Sequence, residues 1–251
     1  MDHQQTAHLT VERPISASEL RVKVFADGAD LEGVRRLAAD PIISGFTTNP
    51  TLMRKAGIVD YRRFAEEMLE IVADRPVSFE VFSDDPREME RQARLISSWG
   101  DNVYVKIPVT NTAGVATDEL LRTLSAAGVK LNVTGLTTVP QVEQVAACLR
   151  DGVSAFVSVF AGRIADSGVD PVPVMKNALE VLAATPGAEL LWASPREILN
   201  VVQADQIGCH VITVTHDLLA KLKLLGRDLT AFSLETVQMF HDDARAAGYT
   251  L

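Results

Sequence analysis

"VSFEVFSDDPREMERQARLISSWGDNVYVKIP", residues 77 to 108, is the stretch on which the fold turns. Two short apolar runs, VSFEVF (77–82) and NVYVKI (102–107), flank a longer segment whose apolar residues recur at helical spacing between an Asp-Pro and a Gly. Asp caps a helix N-terminus, Pro suits its first turn, and Gly readily takes the left-handed conformation that stops it. A strand, a helix and a second strand within one such segment form the βα alternation of a parallel sheet.

The same alternation extends in both directions. Further strands are predicted at 21–26 (RVKVFA), 42–46 (IISGF), 130–134 (KLNVT), 155–160 (AFVSVF), 190–194 (LLWAS) and 210–214 (HVITV), with helical patterns between them. Eight strands with intervening helices predict an α/β fold of the (β/α)8 TIM-barrel class, a fold that commonly occupies about 250 residues as one domain. The expected organisation is a polar N-terminal leader over residues 1–20 and a single barrel domain over 21–251. A doubly wound open sheet is the alternative, because a strand count does not prove closure. Beyond the eighth unit, LETVQMFHDDARAAGYTL adds a C-terminal helix with Leu234, Val237, Phe240 and Ala244 on one apolar stripe, able to cover its own barrel or a neighbouring subunit.

Composition narrows the function. Of 251 residues, 47% are hydrophobic and 23% charged, ordinary values for a chain with a large buried core. A net charge of -9 argues against a general affinity for nucleic acid or an anionic membrane, so an anionic substrate must be held by local cations. The two cysteines, Cys148 and Cys209, form no CxxC pair and point to a reducing compartment. No apolar run is long enough to span a bilayer, and MDHQQTAHLTVERP lacks the regions of a signal peptide, so a cytoplasmic location is expected. The five histidines are scattered without metal-ligand spacing, and no GxGxxG or Walker loop occurs, so neither a metal nor another cofactor is expected. Chemistry must then rest on side chains.

In a (β/α)8 barrel those side chains gather at the C-terminal ends of the strands. The polar residues there are Asp27, Thr47, Thr48, Asn49, Glu80, Lys106, Asn132, Thr134, Ser158, Arg163, Ser194 and Arg196. Some have plain structural readings: Asp27 and Asn49 suit turns or caps, and the arginines suit a solvated surface. Lys106 is the least easily dismissed. It lies among Val103, Val105, Ile107 and Val109, and Pro108 ends the strand beside it. Desolvation favours the neutral amine of a lysine over its ammonium form, and the neutral amine is the nucleophile that forms a Schiff base with a ketone.

The ordered pieces FADGAD, GFTTNPTLM, FEVFS, YVKIPVT, LNVTGLTT, FVSVFAGRIADSGVDP and WASPREI closely resemble the transaldolase family, in its short-chain branch that also contains the fructose-6-phosphate aldolases. The resemblance implies a cofactor-free class I mechanism in which Lys106 forms the Schiff base and Asp27 moves the proton of the hydroxyl beside the cleaved bond. It implies that Glu80 and Thr134 hold the water that shuttles protons. It assigns substrate contacts to Thr48, Asn49, Asn132, Ser158 and Phe160, and a phosphate clamp to Arg163, Ser194 and Arg196. Aldolases of this branch tend to carry Gln and Tyr where this chain has Glu80 and Phe160, which favours a transaldolase moving dihydroxyacetone between sugar phosphates. An aldolase releasing dihydroxyacetone is the first alternative, and a catalytically idle sugar-phosphate-binding barrel is the second. SVF, SPR and TGLTT depart from the usual SPF, SFR and TLIF-like runs at the expected mouth. The resemblance also implies a homo-oligomer, a pentamer or decamer.

Overall fold

The computed structural model describes residues 16–250. Most of the expected leader therefore lies outside the described residues, and Ala17–Glu19 forms a single 3-10 turn ahead of the first strand. The strands are β1 (Lys23–Asp27), β2 (Ile43–Thr47), β3 (Val77–Glu80), β4 (Val103–Pro108), β5 (Leu131–Leu136), β6 (Ala155–Val159), β7 (Ala188–Trp192) and β8 (Val211–Thr215). They pair in parallel in sequence order, and β8 closes on β1, so the sheet is a (β/α)8 barrel and not an open sheet.

The helices are α1 (Leu31–Ala38), α2 (Pro50–Lys55), α3 (Tyr61–Ile71), α4 (Pro86–Ser97), α5 (Asp118–Ala126), α6 (Val139–Ala146), α7 (Ala161–Asp166), α8 (Pro171–Leu182), α9 (Leu199–Gln206), α10 (His216–Leu219) and α11 (Leu229–Ala246). Asp30, Asn49, Asp60, Asp85, Thr138, Asp170 and Asp228 each accept a first-turn backbone N–H at an N-cap. Such a cap contributes about 1 kcal/mol. The six-residue helices α2 and α7 were not anticipated, because six residues are too few to display a helical period. After β8 the chain forms α10 and then a separate 3-10 turn at Leu222–Leu224.

Side-chain alternation along the strands divides the core in two. Val24, Ala26, Phe46, Val77, Phe79, Val103, Val105, Ile107, Leu131 and Val133 belong to the larger cluster between the barrel wall and the helices. Inside the barrel a smaller cluster of Phe25, Phe156, Leu191, Ala193 and Val211, with Tyr104 and Phe160 against it, forms a plug. Phe25 meets Phe156 edge-to-face at 5.3 Å, and Tyr104 stacks on Phe156 at 4.4 Å. The next inward positions toward the C-terminal ends are polar, so the plug is the floor of a cavity.

α11 does not cover its own barrel. None of its residues is buried, and Leu234, Val237 and Phe240 are 57%, 60% and 63% exposed. Cys148 and Cys209 are both free and buried, and among the described residues no helix is long and apolar enough to cross a membrane.

Gly45 shows how tightly the plug is filled: a Cβ there would lie 2.6 Å from the Phe25 ring. Gly45→Ala is expected to cost about 1–3 kcal/mol through overpacking, seen as a lower midpoint in thermal or denaturant unfolding. Combining it with Phe25→Leu should recover part of the loss; an additive double mutant would show that the ring is not the cause.

Candidate active site

Strand register assembles the site. Glu80, Lys106 and Asn132 are paired neighbours across β3, β4 and β5, while Thr47, Asp27 and Thr215 are neighbours across β2, β1 and β8. With Thr134, Ser158, Phe160, Ser194 and the two arginines, they line one cavity of about 650 Å³ above the aromatic plug. Eleven of the twelve candidate residues line it, including Asn49 at the start of α2 and Arg163 within α7. Thr48 is the exception. Its side chain is wholly buried and its hydroxyl donates to the Ser78 carbonyl at 3.0 Å, so only its backbone faces the site.

Lys106 is 7% exposed. Its Nζ donates to the Thr48 carbonyl at 2.9 Å and lies 3.3 Å from Glu80 Oε2. The valines and isoleucine beside it in sequence are not its surroundings, because Val103, Val105 and Ile107 pack outward against the helices. The wall expected to be apolar is built instead of a carbonyl, a carboxylate and neutral polar groups.

Those polar groups hold one another. Asn132 Nδ2 donates to Ser78 Oγ at 3.0 Å, and its Oδ1 accepts from the Ser158 hydroxyl at 2.6 Å, which fixes the amide orientation on both sides. The Thr134 hydroxyl is buried without a hydrogen-bond partner among the described residues, an arrangement that ordinarily calls for an external one. Asp27 accepts from the Thr47 hydroxyl at 2.8 Å and from Asn49 Nδ2 at 3.4 Å. Burial pushes the Asp27 carboxyl above its ordinary value, against the lowering by Lys106, Thr47, His216 and Asn49. Asn49 is also the N-cap of α2, its Oδ1 accepting from Leu52 N at 2.9 Å, so the cap reading holds for a side chain that also lines the cavity.

Residues 24–250 match the family profile described as Transaldolase/Fructose-6-phosphate aldolase. The chain belongs to that family. It is 34% identical over 202 residues to the "Probable transaldolase" of Dehalococcoides mccartyi, covering 80% of this chain and 90% of that one. It is 34% identical over 228 residues to the "Probable transaldolase" of a Thermoanaerobacter species, covering 90% and 99%. Among solved structures, dihydrodipicolinate synthase from Rhodopseudomonas palustris matches with a TM-score of 0.51 at 14% identity, over 80% of this chain and 72% of that one, a likeness of fold alone. The transaldolase-type relatives and the family match together support an enzyme of this kind.

In this transaldolase-family chain part of the cavity rim is built from two backbone segments in close contact. Ser194 has a positive φ of 61°, and a Cβ on Gly162 of α7 would lie 1.6 Å from the Ser194 carbonyl oxygen. Glycine at 162 therefore lets α7 and the loop after β7 approach and bring Arg163 and Arg196 to one edge of the cavity. Arg196 is gripped by both oxygens of Asp166, one helical turn beyond Arg163, and this grip lowers the Asp166 carboxyl below its ordinary value.

Several contributors to the site escaped sequence reasoning. The Tyr61 hydroxyl accepts from Glu80 N at 2.8 Å and donates to Glu80 O at 3.1 Å, so it fixes the backbone beneath the Glu80 carboxylate, and burial raises its phenol. His216 packs so closely on the first β-to-α loop that a Cβ on Gly28 would lie 2.5 Å from Nε2. That approach, and not a left-handed turn, explains the glycine after Asp27. Burial lowers the His216 imidazolium, with Asp30 the main opposing charge. Thr213 and Thr215 line the cavity from β8.

In an ordinary helix Gly→Ala stabilises by about 0.5–1 kcal/mol. Gly162→Ala is expected to reverse that sign and lower the unfolding midpoint, because the new methyl meets backbone. A raised midpoint would show that the two segments separate without cost.

Proposed function

We propose that this protein is a transaldolase that moves a dihydroxyacetone unit between sugar phosphates through a Schiff base on Lys106. The observation that carries the reading is the buried Lys106 amine beside Glu80, in the same cavity as Asp27 and below two rim arginines. A sensor or scaffold has little use for a nearly inaccessible amine set among two carboxylates.

The chemistry proceeds from the deepest groups outward. A ketose phosphate enters with its terminal phosphate toward Arg163, Ser194 and Arg196, where planar guanidinium groups suit a phosphate. Glu80, at 3.3 Å, accepts the Lys106 proton directly or through water, and the free amine adds to the ketone carbon. Glu80 and the otherwise unpaired Thr134 hydroxyl hold the water involved as the carbinolamine loses hydroxide and becomes an iminium. Asp27, as a carboxylate, takes the proton of the hydroxyl on the carbon beyond the bond to be cleaved. That carbon-carbon bond then breaks, its electron pair enters the iminium to form an enamine, and an aldose phosphate leaves. Addition of the enamine to a second aldose phosphate, with the Asp27 proton returned, reverses these steps. Hydrolysis then frees the product ketose and Lys106. In this reading Asn49, Asn132 and Ser158, which line the same cavity, hold substrate hydroxyls.

Sedoheptulose 7-phosphate as donor and glyceraldehyde 3-phosphate as acceptor, giving erythrose 4-phosphate and fructose 6-phosphate, are the substrates this reading favours, in the cytoplasm. Glu80 and Phe160 favour transfer over release of dihydroxyacetone, since a phenyl ring at 160 cannot donate a proton to the enamine or orient water for it. The apolar stripe exposed on α11 supports a homo-oligomer, in which that helix lies on a neighbouring subunit.

Borohydride added with fructose 6-phosphate should leave a reduced dihydroxyacetone adduct on Lys106, located by peptide mass, and none on Lys106→Met. A folded wild type without the adduct would sink the Schiff-base reading. Free dihydroxyacetone formed equally well without an acceptor would replace transfer by simple aldol cleavage. Light scattering on protein truncated before Leu234 should report a smaller assembly than the full chain; an unchanged mass would remove α11 from the contact.

A further inference from the structure

Behind Asp27 lies a chain of hydroxyls that the mechanism above does not use. Thr213 projects into the barrel from β8, 7% exposed, at the position paired with Phe25 and two residues before Thr215, the partner of Asp27. Its Oγ1 lies 2.5 Å from Thr47 Oγ1, and Thr47 Oγ1 lies 2.8 Å from Asp27 Oδ1. A threonine hydroxyl has one proton. Facing an ionised carboxylate, Thr47 must give that proton to Asp27, so in its contact with Thr213 it can only accept. Proton count thus sets the direction of the chain: Thr213 donates to Thr47, and Thr47 donates to Asp27.

We propose that Thr213 is a positioning residue of the reaction, whose hydroxyl holds the Thr47 hydroxyl in the orientation that donates to Asp27. This rests on the reading of Asp27 as the group that takes the substrate proton. A donor on Thr47 oxygen polarises the Thr47 O–H bond and strengthens its hydrogen bond to the carboxylate. It also occupies one of the two lone pairs of the Thr47 oxygen, which biases the hydroxyl rotor toward Asp27. The other groups facing Asp27 are Asn49 from the cap of α2, Lys106 from β4 and His216 from the start of α10. The Asn49 hydrogen bond and the charge influence of Lys106 and His216 do not pass through Thr213, so its removal weakens one support of the carboxylate and leaves the others in place.

The sign of the effect follows. Hydrogen bonds to the charged form of a carboxyl lower its pKa. Weakening the Thr47 contact adds to the upward push of burial, so a larger share of Asp27 is protonated at a given pH and unable to accept a proton. The acid limb of the pH–rate profile then moves to higher pH. Free dihydroxyacetone forms its imine on Lys106 without any bond cleavage, so borohydride trapping of Lys106 with dihydroxyacetone should be little affected.

The test compares full-length wild type, Thr213→Val and Thr213→Ser, with aspartate labelled at the carboxyl carbon and Asp27→Asn used to assign the Asp27 resonance. Thr213→Val keeps the side-chain shape without the hydroxyl, and Thr213→Ser keeps the hydroxyl. The expected result is an Asp27 titration midpoint raised by about half a pH unit or more in the valine variant and restored to within ~0.2 unit in the serine variant. The acid limb of kcat/KM for transfer from fructose 6-phosphate should move with it, while the rate of borohydride trapping with free dihydroxyacetone stays near wild type. An unmoved midpoint in folded Thr213→Val, or an equal shift in Thr213→Ser, overturns the assignment. Should the valine variant not fold, Thr213→Ala carries the same two expectations. Wild type that neither transfers nor traps the substrate defeats the reading of Asp27 itself, whereas an active wild type with an unmoved valine variant defeats the role of Thr213 alone.

Discussion

A strand turns every second side chain to the same side, and in a closed parallel barrel that alternation decides which residues can ever share a cavity. Here it separates two chemistries carried by the same strands. Along β4, Val103, Val105 and Ile107 enter the apolar layer against the helices, while Lys106 faces the cavity beside Glu80. A one-residue slip would place the ammonium group in the outer hydrocarbon layer and the valines in the polar cavity, so the fold cannot lose its register without losing its site. The aromatic floor completes the arrangement by closing the barrel below the reactive groups.

Removing charges from water is costly, and the cavity offsets that cost unequally among its members. Lys106 has a carbonyl and a carboxylate within 3.3 Å. Asp27 has hydrogen bonds from a hydroxyl and an amide, yet burial still outweighs them and its carboxyl is raised. The group under-compensated in this way is the one the proposed mechanism asks to accept a proton and give it back. A fully stabilised carboxylate would be a poor base. The arginines differ: Arg163 and Arg196 are exposed at the rim, where water and salt screen their field.

The strand order, the barrel and the side chains at the strand ends were all legible in the sequence, because periodicity and position carried them. What escaped shares a physical cause. α2 and α7 are too short to show a period, although they place Asn49 and Arg163 at the cavity. Thr213 lies in HVITVT, where threonine is an ordinary strand residue and nothing marks one hydroxyl as part of a chain. Tyr61 and His216 act across elements distant in sequence. Thr48 illustrates the reverse error: it adjoins site residues on both sides, but its hydroxyl is turned to Ser78. Lys106 was found for its apolar neighbours in sequence, yet those neighbours face away from it, so the position was informative for a reason other than the one first given.

The proposed phosphate clamp must bind an anion on an acidic protein. A net charge of -9 opposes the approach of a phosphate, and free arginine side chains would lose considerable rotamer entropy on closing around it. Asp166 reduces that loss by holding the Arg196 guanidinium in place beforehand, at the expense of part of its positive field. The left-handed Ser194 and the missing side chain at Gly162 bring the segments of both arginines together through backbone, which is stiffer than any surface ion pair. Preorganisation at the rim and incomplete compensation at depth are thus complementary. In the proposed mechanism the rim would hold a charge in one place, while the polar layer above the aromatic floor would let a proton move.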